Sequence, residues 1–477
     1  MNVLKMLFIV FEVVLLFNLV IVVHELGHYF AARWRGLKID RFGIWFGKSL
    51  WETKIDGVTF CLGCIPAGGY VALPQMAPME TIEGKNTTDN ANLPSISALD
   101  KIIVAFAGPL FSFGLAVTFA AVVWLIGRPV SERETSTVIG HVFPNSPAEK
   151  IGLHPGDRVL EVDNHKVTKF SGVGDESITW RIVRSEGENI PIKVERDGKL
   201  MEFLPIPFKE DTKGWERKGL RQIGIEAAYT PMVGKVVPGG PAAAKLQAND
   251  FILEANGQKI LHPSTFASIV TNSGGRAMSV KIERAGQPLE VSLTPEIPVE
   301  GDKIPRVGII WDETGRMTLT HPGPIEQVES GLGTLVSTLG ALFSSKSDIK
   351  PQHLSGPVGI MRIYYLLFES DQGWRLAIWF SVVLNLNLAV LNMLPIPVLD
   401  GGHITLAIVE AVRRKPMEIK ILNWLQTACA TLVIGYILYV SFYDVQDLKP
   451  DRSKPGPEMK FAPKTDNSSN TAPVPSR

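Results

Sequence analysis

Hydrophobic residues in this chain are concentrated in four long runs rather than spread evenly. The first extends from Met6 to Val23, and the others span 102–126, 376–399 and 424–442. Each run is close to the ~20 residues that a helix needs to cross the hydrocarbon core of a bilayer. The last three runs contain no charged residue. The pattern therefore predicts a multi-pass α-helical membrane protein with four transmembrane helices.

Basic residues between the runs predict the orientation of these helices. One basic stretch follows the first run, at 33–54, and another lies between the third and fourth runs, at 413–420. Short loops rich in lysine and arginine usually face the cytoplasm. We therefore expect the N-terminus, the long region 128–373 and the C-terminus on the outer face of the membrane.

The long outer region contains an internal repeat. Residues 142–167 align with residues 236–260, with one deletion and a period of 93–94 residues, which indicates a small domain rather than a solenoid unit. Both copies predict a short strand, a helix start with small residues, and a strand ending in a hairpin turn. They resemble tandem PDZ domains, which bind chain ends by strand addition. A role as spacers above the membrane is the alternative.

Charge composition excludes one class of partner. The chain has 48 basic and 48 acidic residues, so its formal net charge is zero, and no basic stripe or readout motif stands out. Nucleic-acid binding depends largely on neutralising phosphates with clustered lysine and arginine. We therefore expect no nucleic-acid partner.

The first run ends in an unusual group of ionisable residues, His24, Glu25 and His28. Two histidines four residues apart lie on one face of a helix, where neutral imidazoles can hold Zn²⁺ and leave the glutamate to act as a general base. Such a short motif also occurs by chance, but ionisable groups within lipid are costly and mark functional sites. The sequence thus predicts a site for one Zn²⁺ per chain.

A catalytic zinc usually takes three protein ligands, so a third ligand must come from another helix at the same depth. The third run ends in LNMLPIPVLDGGH, on the same side of the membrane as His24. Asp400 and His403 are both candidates there, and Glu410 is a weaker one. Depth alone does not separate the first two. Helix-breaking prolines in this segment predict a protein-lined cavity.

The pairing of a membrane-embedded H-E-L-G-H with a distant L-N-x-L-P-x-P-x-L-D-G-G resembles the site-2 protease family of intramembrane zinc metalloproteases. The two inserted PDZ-like α+β domains resemble those of its bacterial regulator-of-sigma-E protease branch. The resemblance extends from Val23 to about Val440. It implies His24, His28 and Asp400 as zinc ligands and Glu25 as the general base.

The resemblance also implies how substrate is held. Asn392, Pro395 and Pro397 would bind the substrate backbone. The segment IPAGGYVAL, with Gly68 and Gly69, resembles the family's small membrane-associated β-hairpin, whose edge pairs with unwound substrate.

The implied function is regulated intramembrane proteolysis in the bacterial cytoplasmic (inner) membrane. Substrates would be single-pass membrane proteins, for example an anti-sigma factor or remnant signal peptides, with a site-1-type protease acting upstream. The PDZ-like domains would face the periplasm or the exterior. The alternative is a PDZ-bearing membrane scaffold or transporter with a structural metal, although a structural zinc normally takes four protein ligands.

These interpretations divide the chain into consecutive segments. We expect transmembrane helix 1 with H-E-x-x-H at 1–35, the cytoplasmic-side β-hairpin and loop at 36–100, transmembrane helix 2 at 101–128, PDZ-like domain 1 at 136–228, PDZ-like domain 2 at 229–296, a connector at 297–373, transmembrane helix 3 with L-D-G at 374–400, a cytoplasmic loop at 401–420, transmembrane helix 4 at 421–443 and a disordered tail at 449–477.

Overall fold

The computed structural model describes most of the chain. The described residues are 3–76, 96–172, 174–299, 303–312, 315–415, 417–448 and 461. Most of the predicted loop at 74–98 and of the predicted tail at 449–477 lies outside these residues.

Helices occur along the whole described chain. They are α1 (Val3–Trp34), α2 (Ala98–Ile126), α3 (Glu132–Thr135), α4 (Pro147–Lys150), α5 (Ile178–Arg184), α6 (Pro263–Asn272), α7 (Pro324–Phe343), α8 (Pro357–Glu369), α9 (Gly373–Asn392), α10 (Asp400–Arg413) and α11 (Ile419–Asp447), with a 3₁₀ turn at Pro351–His353.

Strands occur in two regions, residues 41–72 and residues 128–320. They are β1 (Arg41–Phe46), β2 (Trp51–Ile55), β3 (Val58–Leu62), β4 (Ile65–Ala72), β5 (Arg128–Ser131), β6 (Ile139–Val142), β7 (Arg158–Val162), β8 (His165–Lys166), β9 (Ile192–Arg196), β10 (Lys199–Phe203), β11 (Ile225–Ala227), β12 (Met232–Val236), β13 (Phe251–Ala255), β14 (Gln258–Lys259), β15 (Met278–Arg284), β16 (Gln287–Leu293), β17 (Ile309–Asp312) and β18 (Met317–Thr320).

The part of the chain that the structure describes has four helices long and apolar enough to cross a membrane, namely α1, α2, α9 and α11. The prediction of four such helices is confirmed. Helix α2 lies between α1 and α9 and contacts both along much of its length. A capping box at its N-terminus, formed by Ser97 and Asp100, satisfies backbone donors that the first turn leaves unpaired.

The third of these helices is shorter than predicted. Helix α9 ends at Asn392 rather than continuing to residue 400, because Pro395 and Pro397 cannot supply the backbone donors that a continuing helix needs. A new helix, α10, then occupies most of the predicted loop at 401–420. Its apolar residues recur at helical spacing after the two glycines, a pattern too short to stand out beside the transmembrane runs.

Residues 41–72 form a four-stranded sheet, in the order β2-β3-β1-β4, where the sequence analysis expected a hairpin. Strands β2 and β3 form a hairpin of their own across Asp56-Gly57, and β3 also pairs in parallel with β1. This parallel pairing joins residues distant in the chain, so local patterns do not reveal it. Strand β4 lies at the edge of the sheet and contacts α1.

The repeat forms two β-rich modules, each with its own apolar core. Equivalent positions of the repeat make the same buried ion pair. Asp157 lies 2.5 Å from Arg196 Nε in the first module, and Asp250 lies 2.7 Å from Arg284 Nη2 in the second. The internal duplication read from the sequence therefore extends to the three-dimensional structure.

The second module extends beyond its predicted end at residue 296, because β17 pairs with β12. The residues before β17 are rich in polar residues and proline, which is typical of a connector. After the module, β18 pairs with β5. The two modules, which we define as residues 136–228 and 229–312, are thus inserted between two neighbouring strands next to the end of α2.

The connector beyond the modules contains two helices that pack on the transmembrane helices. Helix α7 contacts α2 and α9, and its Ser337 accepts a 2.9 Å hydrogen bond from Trp180 of the first module. Helix α8 packs against α1, α9 and α11. The buried Asp444 of α11 accepts hydrogen bonds from the backbone N–H groups of Gly356 and Gly359, each at 2.9 Å, and so caps the N-terminus of α8.

Candidate active site

The two histidines of α1 are oriented by hydrogen bonds to the neighbouring helix α2. His28 Nδ1 lies 2.8 Å from the carbonyl oxygen of Val104, and His24 Nδ1 lies 3.0 Å from the hydroxyl of Ser112. A carbonyl only accepts, so Nδ1 of His28 carries the proton and Nε2 of the neutral ring presents a lone pair. Helix α2 thus aims both Nε2 atoms at the same point.

Asp400 is the first residue of α10, and its carboxylate faces these two nitrogens. Its Oδ2 lies 3.2 Å from His24 Nε2, and its Oδ1 lies 3.3 Å from His28 Nε2. The two Nε2 atoms are 3.3 Å apart. All three ligand atoms lie within 4.8 Å of one another, and among the described residues they form the one such group of histidine, cysteine and acidic side chains.

This donor set fits a divalent cation. Two imidazole lone pairs that face each other and a carboxylate repel one another unless a positive charge lies between them. Two nitrogen ligands and one oxygen ligand suit Zn²⁺, and a site with three protein ligands leaves a position for water or substrate. Helix α2 contributes no ligand, but its hydrogen bonds to the rings are the kind of outer contact that fixes ligand orientation.

Glycines allow α1 and α2 to approach this closely. A Cβ atom at Gly27 would lie 2.3 Å from the carbonyl oxygen of Ala107, and one at Gly108 would lie 2.1 Å from His28 Nε2. Neither distance is compatible with a side chain. Small residues that bring backbones together are typical of helix pairs in membranes. The position of the His28 ring therefore depends on a glycine in another helix.

Glu25 and three of the five predicted substrate-binding residues, Asn392, Gly68 and Gly69, share a cavity of 350 Å³ with the two histidines and Asp400. Gly69 of β4 lies so close to Glu25 that a Cβ there would come within 3.0 Å of its Cγ. The Asn392 side-chain nitrogen lies 3.4 Å from His24 Nε2. Gly68 lines the same cavity.

The two prolines are placed differently. Pro395 and Pro397 lie in the turn between α9 and α10 and are absent from the residues that line the cavity. Pro395 is exposed. They shape the turn that brings Asp400 to the histidines.

The three candidates for the third ligand have different surroundings. His403 also lines the cavity, but it is not a member of the converging group. Glu410 points elsewhere and forms an ion pair with Lys101 at 2.7 Å. Asp400 and His403 lie three residues apart on one helix, so depth in the membrane could not distinguish them.

Sequence reasoning missed the contribution of α2. Three features of α2 were not identified as parts of the site: Ser112, the Val104 carbonyl and Gly108. Gly108 and Ser112 are small residues four apart in an apolar run, which is a known signal of close helix packing in membranes. That signal could have identified this face of α2 as the one that contacts the histidines.

Comparison with known proteins agrees with this geometry. The sequence profile of peptidase family M50 matches residues 12–436. The chain belongs to peptidase family M50. It is 29% identical over 455 residues to the regulator of sigma-E protease RseP of Escherichia coli (strain K12), covering 89% of this chain and 96% of that protein. It is 28% identical over 453 residues to protease RseP of Yersinia pestis, covering 89% of this chain and 96% of that protein.

A solved structure matches a smaller part of this M50 chain. It is the PDZ domain of the SdrC-like protein Lin2157 from Listeria innocua, which is 24% identical. The match covers 18% of this chain and 96% of that domain, with a TM-score of 0.17.

Membership of family M50 confirms the resemblance to site-2 proteases and makes the chain a zinc metalloprotease. The predicted Zn²⁺ cofactor is confirmed with it, and His24, His28 and Asp400 form a candidate site for this metal. The alternative of a scaffold or transporter with a structural metal is not favoured, since the residues form an open three-ligand group beside a cavity.

Proposed function

We propose that this M50 protease cleaves transmembrane segments of single-pass membrane proteins, such as an anti-sigma factor or remnant signal peptides. One observation carries the proposal. The metal-binding group and the Glu25 carboxylate line one cavity, and three helices long and apolar enough to span a membrane, α1, α2 and α9, contribute to its walls together with β4 and the start of α10. A peptide bond that reaches this cavity is cleaved at the depth of the lipid.

We assign His24, His28 and Asp400 as the zinc ligands and Glu25 as the general base. A Zn²⁺ held by these three residues would supply Lewis-acid polarisation of the scissile carbonyl and would lower the pKa of water. Glu25 of α1 lies beside this group and next to Gly69 of β4, where it can accept a proton from water and pass it to the leaving amide nitrogen. The hydrogen bonds from α2 orient both rings so that their Nε2 atoms face the cavity.

A substrate helix must lose some of its own backbone hydrogen bonds before a peptide bond in it can be cleaved. Its scissile amides are bonded within the helix, so the protease has to supply replacement partners. Strand β4 has one side paired with β1 and its other side unpaired in the described residues, which suits addition of a substrate strand. Gly68 and Gly69 place the backbone of β4 at the cavity, close to Phe46 and Glu25, and the Asn392 amide supplies a further partner near His24.

The two modules are PDZ-like and face the outside of the bacterial inner membrane in this proposal. The basic stretches at 33–54 and 413–420 support this orientation through the positive-inside rule. A reporter that is active only outside the cytoplasm should therefore work when fused near residue 200 and fail when fused near residue 415. The reverse pattern would refute the orientation.

Modules above the cavity can exclude substrates with bulky outer domains and admit those trimmed by a site-1-type protease. Deleting residues 136–312 should then permit cleavage of a substrate whose outer domain is intact, while trimmed substrate is still cut. If the deletion instead leaves intact substrate uncut and slows the trimmed one, the modules recruit substrate rather than filter it.

The roles of the metal-site residues can be tested by separating metal content from cleavage. Glu25→Gln should retain one zinc per chain, lose cleavage and trap membrane substrates for identification by mass spectrometry. Alanine at His24, His28 or Asp400 should remove the zinc, whereas His403→Ala should leave it bound. Glu12→Gln, on the same helix but about 18 Å away, is the matched control and should change neither. Zinc loss in His403→Ala with zinc retained in Asp400→Ala would refute the ligand assignment.

A further inference from the structure

The first module exposes an apolar group on the segment between β10 and β11. Leu204, Ile206, Phe208 and Trp215 are all exposed, Ile206 and Trp215 to 60%. They belong to residues 204–218, which we call the 204–218 loop. An exposed group of large apolar side chains on an otherwise water-facing domain marks an interaction surface. Its location shows what it contacts.

Ion pairs fix the 204–218 loop at the end of a transmembrane helix. The guanidinium of Arg217 lies 2.7 Å from Asp444 Oδ1 and 3.0 Å from Asp447 Oδ2, both in the last turns of α11. The Asp444 side chain is only 1% exposed, and Arg217 also stacks near the ring of Tyr443. Arg217 further donates to the carbonyl oxygen of Gln352, beside the start of α8. The loop is thus held at the level where α11 leaves the membrane.

Aromatic side chains mark this level on α11 itself. Tyr436, Tyr439 and Phe442 are exposed on its last turns. Tyrosine and tryptophan collect at the boundary between hydrocarbon and water, where their apolar and polar parts are both satisfied. Trp215 is two residues from Arg217, so its Cα lies within about 7 Å of the Cα of that anchor.

The backbone presents Trp215 at the tip of a turn. The N–H of Glu216 donates to the carbonyl oxygen of Lys213 at 2.9 Å, and the Lys213 ammonium lies 5.8 Å from the Trp215 ring. An aromatic ring at a turn tip with a lysine beside it can enter the headgroup region while the charge stays in water.

We propose that the 204–218 loop inserts into the lipid interface on the side where the modules lie, with Trp215 and Ile206 at headgroup depth. The loop carries four basic and three acidic residues, so it is nearly neutral. Burial of apolar surface, rather than attraction to anionic lipid, therefore drives the contact. A lipid surface is favoured over a protein partner because the loop continues the aromatic band of a helix that itself contacts lipid. The contact would hold the first module against the membrane independently of catalysis.

Depth-dependent fluorescence quenching tests the proposal on the full chain in nanodiscs. The exposed Cys64 and the partly buried Cys429 are first replaced by serine. Trp215→Cys and, separately, Ile206→Cys are then labelled with a polarity-sensitive fluorophore. Lipids carry a spin-label quencher either near the headgroup or deep in the acyl chain. Leu289→Cys, at an exposed apolar position of β16 in the second module, is the matched control.

We expect blue-shifted emission at positions 215 and 206, with headgroup-level quenching about twofold or more above that of the control. Exchanging neutral for anionic lipid should leave the quenching unchanged. Two results would overturn the proposal. One is quenching at 215 and 206 that matches position 289. The other is blue-shifted emission that neither quencher affects, which would mean that protein rather than lipid covers the loop.

Discussion

Replacing Gly108 by alanine is the sharpest test of how α2 positions His24 and His28, which we propose as zinc ligands. Gly108 has no hydrogen bond to either ring and no ionisable group, so a chemical role is excluded. Its importance is purely steric. A Cβ atom built at this position lies 2.1 Å from His28 Nε2 and 2.5 Å from Cε1. Nε2 is the atom that we assign to the metal.

The size of the expected effect follows from these distances. To restore a normal contact of about 3.5 Å, the ring must retreat by roughly 1.4 Å. Moving the helices apart instead would also lose the close packing of Gly27 on the Ala107 carbonyl. The ring would instead leave its 2.8 Å hydrogen bond to Val104. Overpacking of this kind costs about 1–3 kcal/mol. Loss of an orienting contact weakens metal binding about 10–100-fold.

The assay is competition for zinc between the purified protein and a chelator of known affinity, with bound metal measured by mass spectrometry. Gly114→Ala is the control, because a Cβ at Gly114 of the same helix meets nothing within 4 Å. That substitution should leave zinc affinity unchanged and favour the helix by up to about 1 kcal/mol. Equal zinc affinity in the two variants would refute the claim that α2 sets the ligand geometry.

Three further predictions concern other contacts. Arg217→Gln leaves the buried carboxylate of Asp444 without its cation, so the free energy of unfolding should fall by about 3 kcal/mol. Thermal unfolding equal to that of the wild type would contradict this. Burial acts to raise the pKa of Asp348, but hydrogen bonds and charges from Lys209 and Arg221 outweigh it and lower that pKa. Its stabilising contribution is therefore complete above the unfolded-state pKa of about 4 and is lost as pH falls through the lower folded-state value. The difference in urea midpoint between wild type and Asp348→Asn should shrink between pH 7 and pH 3, and a constant difference would argue against the pairing. Gly69→Val places a side chain against Glu25, which we propose as the general base, so cleavage should drop sharply with zinc content unchanged. Normal cleavage would exclude Gly69 from the substrate path.

The features predictable from the sequence are those that lipid imposes. A helix in a bilayer must be long and apolar. The four hydrophobic runs therefore located α1, α2, α9 and α11 from composition alone. The cost of ionisable groups at that depth singled out His24, Glu25 and His28. These inferences need only residues that are neighbours in the chain, which is why they required no knowledge of packing.

Features that depend on distant contacts were not predictable in the same way. The parallel pairing of β1 with β3 and the return of β17 to β12 join segments separated by other strands. Depth could not distinguish Asp400 from His403, because one turn of helix separates them. The choice depends on the direction in which α10 starts, and that direction is set by the turn after Asn392.

Asn385 is a polar residue within the apolar run that forms α9. As a polar residue within α9 it could line a water path or bond to a neighbouring helix. Its Nδ2 donates to the Ser381 carbonyl of its own helix at 2.7 Å, and its fully buried Oδ1 has no partner among the described residues. A buried acceptor without a donor costs free energy unless water or substrate supplies one. The side chain is fixed within α9, and its free acceptor is the group that a water molecule entering between the helices would bind.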